Sequence, residues 1–210
     1  VVAWAVFPGV TAGRIASYLG SALRLTVPIA FAALGGIFAE KSGVINIGLE
    51  GLLIIAAFAG VAVSHAMGGG SAVAAWTGFF AAIGASTLFA LLFAVITIRY
   101  EADQIIAGLA VWLVALGIAP FGSKIIWGER SSPSVATLDN WTIPVLSEIP
   151  VIGPAIFDSN PTVYMLLIAA PAAWFVMNRT RFGRWVRASG ENPKALDTAG
   201  VDVSRVRYAG

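Results

Sequence analysis

Residues 51–98 contain no Asp, Glu, Lys or Arg, and that absence constrains the fold more than any motif does. Residues 104–123 and 159–178 are equally free of charged side chains. About 20 apolar residues of helix cross a hydrocarbon core of about 30 Å, and only helices or closed barrels satisfy every backbone group in lipid. Of the 210 residues, 58% are hydrophobic and 11% charged, where a soluble domain carries about 25% charged residues. So much apolar surface needs the bilayer as its solvent. The expectation is an all-α, polytopic transmembrane helix bundle forming a single domain over residues 1–210.

Candidate spans are 18–39, 47–66, 72–98, 105–123 and 161–177, followed by a polar segment at 178–206. The first is interrupted by Arg24. Only 15 uncharged residues separate Arg24 from Glu40, about 22 Å of helix, which falls short of a crossing and suggests a broken or re-entrant element. Residues 1–8 read as the end of an earlier helix and 206–210 as the approach to another, so the chain reads as part of a longer protein. Residues 124–160 read as a long loop, with an interfacial segment around 141–152.

Lys and Arg in short loops set orientation. Residues 178–207 hold seven of them (Arg179, Arg181, Arg184, Arg187, Lys194, Arg205 and Arg207) against three acids, whereas 124–160 holds two against four acids. The first segment is therefore expected in the cytoplasm and the second outside. A net charge of +2 gives no reason to expect nucleic acid. With no Cys and a single histidine, His65, the chain has neither a disulfide framework nor a metal site, and no cofactor or catalytic constellation is visible.

Four features could carry function. In 43–51, Asn46 and Glu50 stand one helical turn apart, flanked by Gly43, Gly48 and Gly51. Gly-interrupted hydrophobic segments in transporters line the substrate path, because unwound backbone must face a cavity; an interfacial turn with Glu50 at a helix start is an equal alternative. Asp103-Gln104 reads as a helix cap. Arg24 either snorkels to the outer interface, the favoured reading, or faces a polar cavity. The fourth is the polar segment 190–200. Asn192 caps a short helix, Pro193 suits its first position and Gly200 stops it. Glu191, Lys194 and Asp197 offer charge there, and Ala195, Leu196 and Ala199 offer apolar contact, so the element reads as a docking surface that a partner would order. Separately, Gly78, Ala82, Ser86, Ala90 and Ala94 form a small-residue stripe, read as packing within the chain in preference to a subunit interface.

Three segments carry a family resemblance: Leu23-Arg-Leu-Thr-Val-Pro-Ile-Ala-Phe-Ala-Ala-Leu-Gly-Gly36, Glu40-Lys-Ser-Gly-Val-Ile-Asn-Ile-Gly-Leu-Glu-Gly51 and Arg187-Ala-Ser-Gly-Glu-Asn-Pro-Lys-Ala-Leu-Asp-Thr-Ala-Gly-Val201. They resemble permease subunits of ABC importers, in the branched-chain amino acid/ribose permease superfamily and its nucleoside (guanosine/purine nucleoside) branch. Such permeases often carry an Asn in the run after Ala107-Gly108, where this chain reads Leu109-Ala110-Val111-Trp112. The resemblance implies an ABC permease fold lacking the family's final helices, in a prokaryotic cell membrane and surrounded by membrane lipid. It implies no enzymatic activity of its own, alternating access for a small-molecule substrate, and three protein partners: a cytoplasmic ABC ATPase subunit, a second permease (homologous or identical) and an extracytoplasmic substrate-binding lipoprotein. The Gly-interrupted pattern puts the expected substrate pathway at Gly43, Asn46, Gly48, Glu50 and Gly51, and the resemblance places ATPase coupling at Gly190, Glu191, Asn192, Pro193, Lys194, Ala195, Asp197 and Gly200. No phosphate-binding loop with its Lys is present, so ATP hydrolysis falls to the partner. A permease for sugars or branched-chain amino acids is the alternative, an ion-coupled carrier is disfavoured by the scarcity of ionisable residues within spans, and a membrane-embedded enzyme has no supporting site.

Overall fold

The computed structural model describes residues 12–144, 146–149 and 151–210, so the helix end read at residues 1–8 lies outside them. Five helices among the described residues are long and apolar enough to cross a membrane. They are α1 (Ala12–Lys41), α2 (Leu49–Ala66), α3 (Ala72–Ala94, continued by a π-turn over Val95–Arg99), α4 (Gln104–Trp127) and, after short elements described below, α6 (Pro161–Arg179). α1 corrects the expectation of a short or broken first span. It runs without interruption through Arg24 and Pro28, because a lone charge does not break helical hydrogen bonding and one proline removes only a single donor.

The chain divides into two compact units, one formed by Val1–Phe31 and Leu138–Pro171, the other by Ala32–Thr137 and Ala172–Gly210. In the first, the polar stretch after α4 folds into small pieces. A two-residue strand β1 (Trp141–Thr142) pairs antiparallel with β2 (Asp158–Ser159), a 3-10 turn covers Leu146–Glu148, and α5 covers Ile152–Ile156. Tyr164 Oη donates to Trp141 O at 2.7 Å and Thr142 Oγ1 to Asp158 Oδ1 at 3.0 Å, tying the hairpin together. The loop begins later than 124: Lys124 lies in the last turn of α4, which stops at Gly128 (φ +78°). Arg24 lines a recess of about 240 Å³ with Ser17, Asn140 and Asp158, and its Nη2 donates to Ser21 Oγ at 3.2 Å. It therefore faces a polar recess, the less favoured of its two readings.

In the second unit, α2, α3 and α4 pack through glycines. A Cβ on Gly78 would lie 2.6 Å from Gly60 O, and one on Gly60 3.2 Å from the Ala82 Cβ. Gly78 and Ala82 of the small-residue stripe thus serve packing inside the chain, where lipid supplies no hydrophobic force and close backbone approach supplies dispersion instead. On the other side of α2, Gly51 meets Trp112 and Gly122 receives the Phe58 ring. Ser71 caps α3 by accepting from Ala74 N, and Asp103 caps α4 by accepting from Ile105 N and Ile106 N at 2.9 Å each, as the helix-cap reading requires.

The segment expected as a polar loop at 178–206 is three short helices: α7 (Arg181–Glu191), α8 (Pro193–Thr198) and α9 (Val203–Ala209). They share a small core of Met177, Val186, Leu196 and Val206, against which Phe38 of α1, Phe182 and Val201 pack. A cluster of Val44, Leu52, Phe93, Ala107 and Val111 joins α2, α3 and α4.

Candidate functional site

α1 ends in a Schellman arrangement. Gly43 N donates to Glu40 O and Val44 N to Ala39 O, both at 3.0 Å, while Gly43 takes φ +89°, a conformation that costs a residue with a Cβ. Residues 42–48 then run without helix to α2. Asn46 lies before the helix starts, so it and Glu50 do not occupy one helical face. Asn46 Oδ1 instead accepts from Gly48 N at 2.9 Å, closing an Asx turn. Glu50 sits exposed in the first turn of α2, where the helix dipole favours an acid. Gly48 and Gly51 meet α4: Cβ atoms there would lie 2.9 Å from Gly108 O and 2.7 Å from Trp112 Cα. The glycines of this element bring helices together.

Gln104, which sequence reasoning left as part of a cap, holds the non-helical segment in place. Its Oε1 accepts from Ile45 N at 2.7 Å and its Nε2 donates to Gly43 O at 3.4 Å. The side chain thus pairs a donor and an acceptor that no helix or strand would satisfy. The Trp112 indole Nε1, against the same element, is buried without a hydrogen-bond partner. A nearby recess of about 470 Å³ between α3 and α4 is lined by Phe89, Leu92, Ile96, Ala107 and Val111, with Asp103 its one charged residue. Such a lining suits hydrocarbon packing better than a polar solute.

The second candidate element is built as its spacing implied. Asn192 Oδ1 caps α8 by accepting from Ala195 N at 3.0 Å, and Pro193 occupies the first turn. The helix stops in another Schellman arrangement, with Gly200 N bonded to Asp197 O at 2.9 Å, Val201 N to Leu196 O at 3.3 Å, and Gly200 at φ +81°. Glu191, Lys194, Ala195, Asp197 and Ala199 are exposed. Leu196 is not available as expected: it is buried in the core shared with α7 and α9. That core and the two caps hold α8 against α7 and α9 within the chain.

The two elements meet. Ser189 Oγ donates to Ser42 O at 3.0 Å, and Arg207 Nε of α9 donates to the same oxygen at 3.3 Å. A Cβ on Gly190 would lie 2.5 Å from Lys41 O and 3.1 Å from Gly43 N, and one on Gly43 3.2 Å from Gly190 Cα. Glycine at both positions is what lets the backbones touch. Nothing in the local pattern of either segment signals this contact.

Residues 18–210 match the family described as branched-chain amino acid transport system / permease component. The chain is 40% identical over 191 residues to the guanosine ABC transporter permease protein NupQ of Bacillus subtilis, covering 90% of this chain and 60% of that protein. It is 36% identical over 193 residues to the nucleoside ABC transporter permease protein NupC of Lactococcus lactis, with the same coverage of both chains. It is 31% identical over 198 residues to the putative glucose ABC transporter permease protein TsgC13 of Haloferax volcanii, covering 92% of this chain and 57% of that protein. The chain therefore spans about 60% of the length of these curated relatives. No solved structure matches it. With five apolar helices and this match along nearly its whole length, the chain is a multi-pass membrane protein that belongs to the branched-chain amino acid transport system / permease component family.

Proposed function

We propose that this chain is part of the permease subunit of an ATP-driven importer for nucleosides, working by alternating access in the cell membrane. Residues 178–207 face the cytoplasm, and α8 with its flanking residues docks on an ABC ATPase through Glu191, Lys194, Ala195, Asp197 and Ala199. A second permease and an external substrate-binding lipoprotein complete the assembly. Residues 43–51 form the element whose movement opens and closes the path, with Glu50 its exposed polar group.

The observation that carries this reading is the joint between Ser189-Gly190 and Ser42-Gly43. It ties the end of α7, which leads through Asn192 into the compact, mixed-charge α8, to the break between α1 and α2. A force applied at α8 therefore reaches the non-helical segment and, through Gln104, the start of α4. The basic residues of 178–207 and the positive-inside rule support the cytoplasmic placement. The nucleoside assignment leans on the relatives named for guanosine and nucleosides; the relative named for glucose makes sugars the competing substrate class.

The test is reconstitution of the full-length permease with its ATPase and binding protein in liposomes. ATP-dependent uptake of radiolabelled guanosine, with none of glucose, is expected. Uptake of glucose alone would reassign the substrate, and guanosine uptake without ATP would overturn the ABC reading.

A further inference from the structure

The transport reading uses the arginines at the end of α6 and on α7 only as a sign of orientation. Arg179 lies with its guanidinium carbon 5.9 Å from the centroid of the Trp174 ring. One residue, Thr180, separates α6 from α7, and its side chain caps α7 by accepting from Gly183 N. Gly183 packs directly on the carbonyls of Val176 and Met177, closer than any Cβ would allow. The chain therefore folds back at Thr180, and the first turns of α7 lie beside the end of α6, not beyond it. The inner face of α7 is Val186 and Ser189, both fully buried. Over its first two turns the outer face carries Arg181, Arg184 and Trp185 at helix-neighbour spacing, all exposed, and Glu191 ends the same face. No Asp or Glu occurs between Asp158 and Glu191.

We propose that this outer face of α7 binds the headgroups of anionic phospholipids in the leaflet at which α6 ends. The fold-back fixes Arg181, Arg184 and Trp185 at the depth where the apolar helix stops, which is the headgroup level. Trp is at home at that level, with its ring in the acyl boundary and its N–H towards water. Arg presents several donors to a phosphodiester, and clustered basic residues next to a transmembrane helix are drawn to an anionic leaflet. The first two turns of that face carry one sign of charge, whereas the stretch from Glu191, the last residue of α7, through Lys194 and Asp197 of α8 mixes both signs. A uniformly basic, Trp-bearing face complements a lipid surface; a mixed one complements a folded protein.

Native mass spectrometry of the full-length permease, released from nanodiscs of equal phosphatidylglycerol and phosphatidylcholine, reads the retained lipids directly. The parent should retain phosphatidylglycerol in excess. Arg181→Gln with Arg184→Gln should lower that excess about tenfold, whereas Arg181→Lys with Arg184→Lys should keep most of it, which separates charge from folding. Arg205→Gln, which removes an exposed charge already paired with Asp202 at 3.1 Å, should leave it unchanged. An unchanged excess in the double Gln variant would overturn the proposal, as would an equal loss in Arg205→Gln. Loss of ATPase association in the double Gln variant with lipid retention intact would also overturn it, by assigning the face to a protein. None of these outcomes depends on whether the chain transports nucleosides.

Discussion

Ser189 Oγ reaches Ser42 O at 3.0 Å across 147 positions of sequence, and both residues are fully inaccessible to solvent. This single bond joins the two segments that separate motifs had marked. Ser189→Ala removes the donor while Arg207 still reaches the same carbonyl, so the loss of stability should be small, about 1 kcal/mol. The expected functional effect is larger. In the reconstituted assembly, ATP hydrolysis should continue while guanosine uptake per ATP falls several-fold. An unchanged ratio would reduce the bond to a structural tie.

Gln104 satisfies Ile45 N and Gly43 O together. Gln104→Leu leaves both unpaired, and should lower the stability of the full-length protein by about 1–3 kcal/mol, read as a drop in melting temperature in detergent. Gln104→Glu keeps an acceptor for Ile45 N and should cost less. Equal melting temperatures for all three proteins would show that the clamp contributes nothing.

Glycines that pack should respond differently from glycines in open space. Gly51→Ala places a methyl group 2.7 Å from Trp112 Cα and should both destabilise the protein and lower uptake. Gly84→Ala and Gly117→Ala have nothing within 4 Å in the described chain and lie within α3 and α4. They should be neutral, or stabilising by about 0.5–1 kcal/mol from helix propensity. Thermal unfolding of the three variants compares them directly.

Leu196 and Ala195 are neighbours with opposite duties. Leu196→Ala opens the core of α7, α8 and α9 and should cost about 2 kcal/mol or more, detected as faster proteolysis within 178–206. Ala195→Arg lies on the exposed side and should leave proteolysis unchanged.

What was legible in the sequence was local. Asn192, Pro193 and Gly200 announce α8 because caps and stops act over one turn, and Asp103 announces α4 for the same reason. The charge-free runs announce the membrane helices, because lipid tolerates so few charged side chains. What was not legible depended on distance or on competing effects. Arg24 seemed to interrupt α1, yet a single charge facing a polar recess leaves the helix intact. Gly43, Gly48 and Gly51 suggested unwound backbone beside a path, and the sequence did not show that the same glycines also make a helix stop and close contacts with other backbone. The roles of Gln104 and Ser189 lie in contacts 61 and 147 positions apart, where no periodicity or cap pattern reaches. Leu196 looked available because a short helix gives no sign of which side its neighbours will cover.

The central claim is that α8 receives the ATPase and passes its movement inward through Ser189 and Gly190. Ala195→Arg tests it most directly, in full-length permease purified with its ATPase and supplied with the loaded binding protein. The expected result is a loss of ATPase co-purification, or about a tenfold fall in substrate-stimulated hydrolysis, with binding-protein docking unaffected on the opposite side of the membrane. Parental co-purification, stimulation and uptake in that variant would contradict the account.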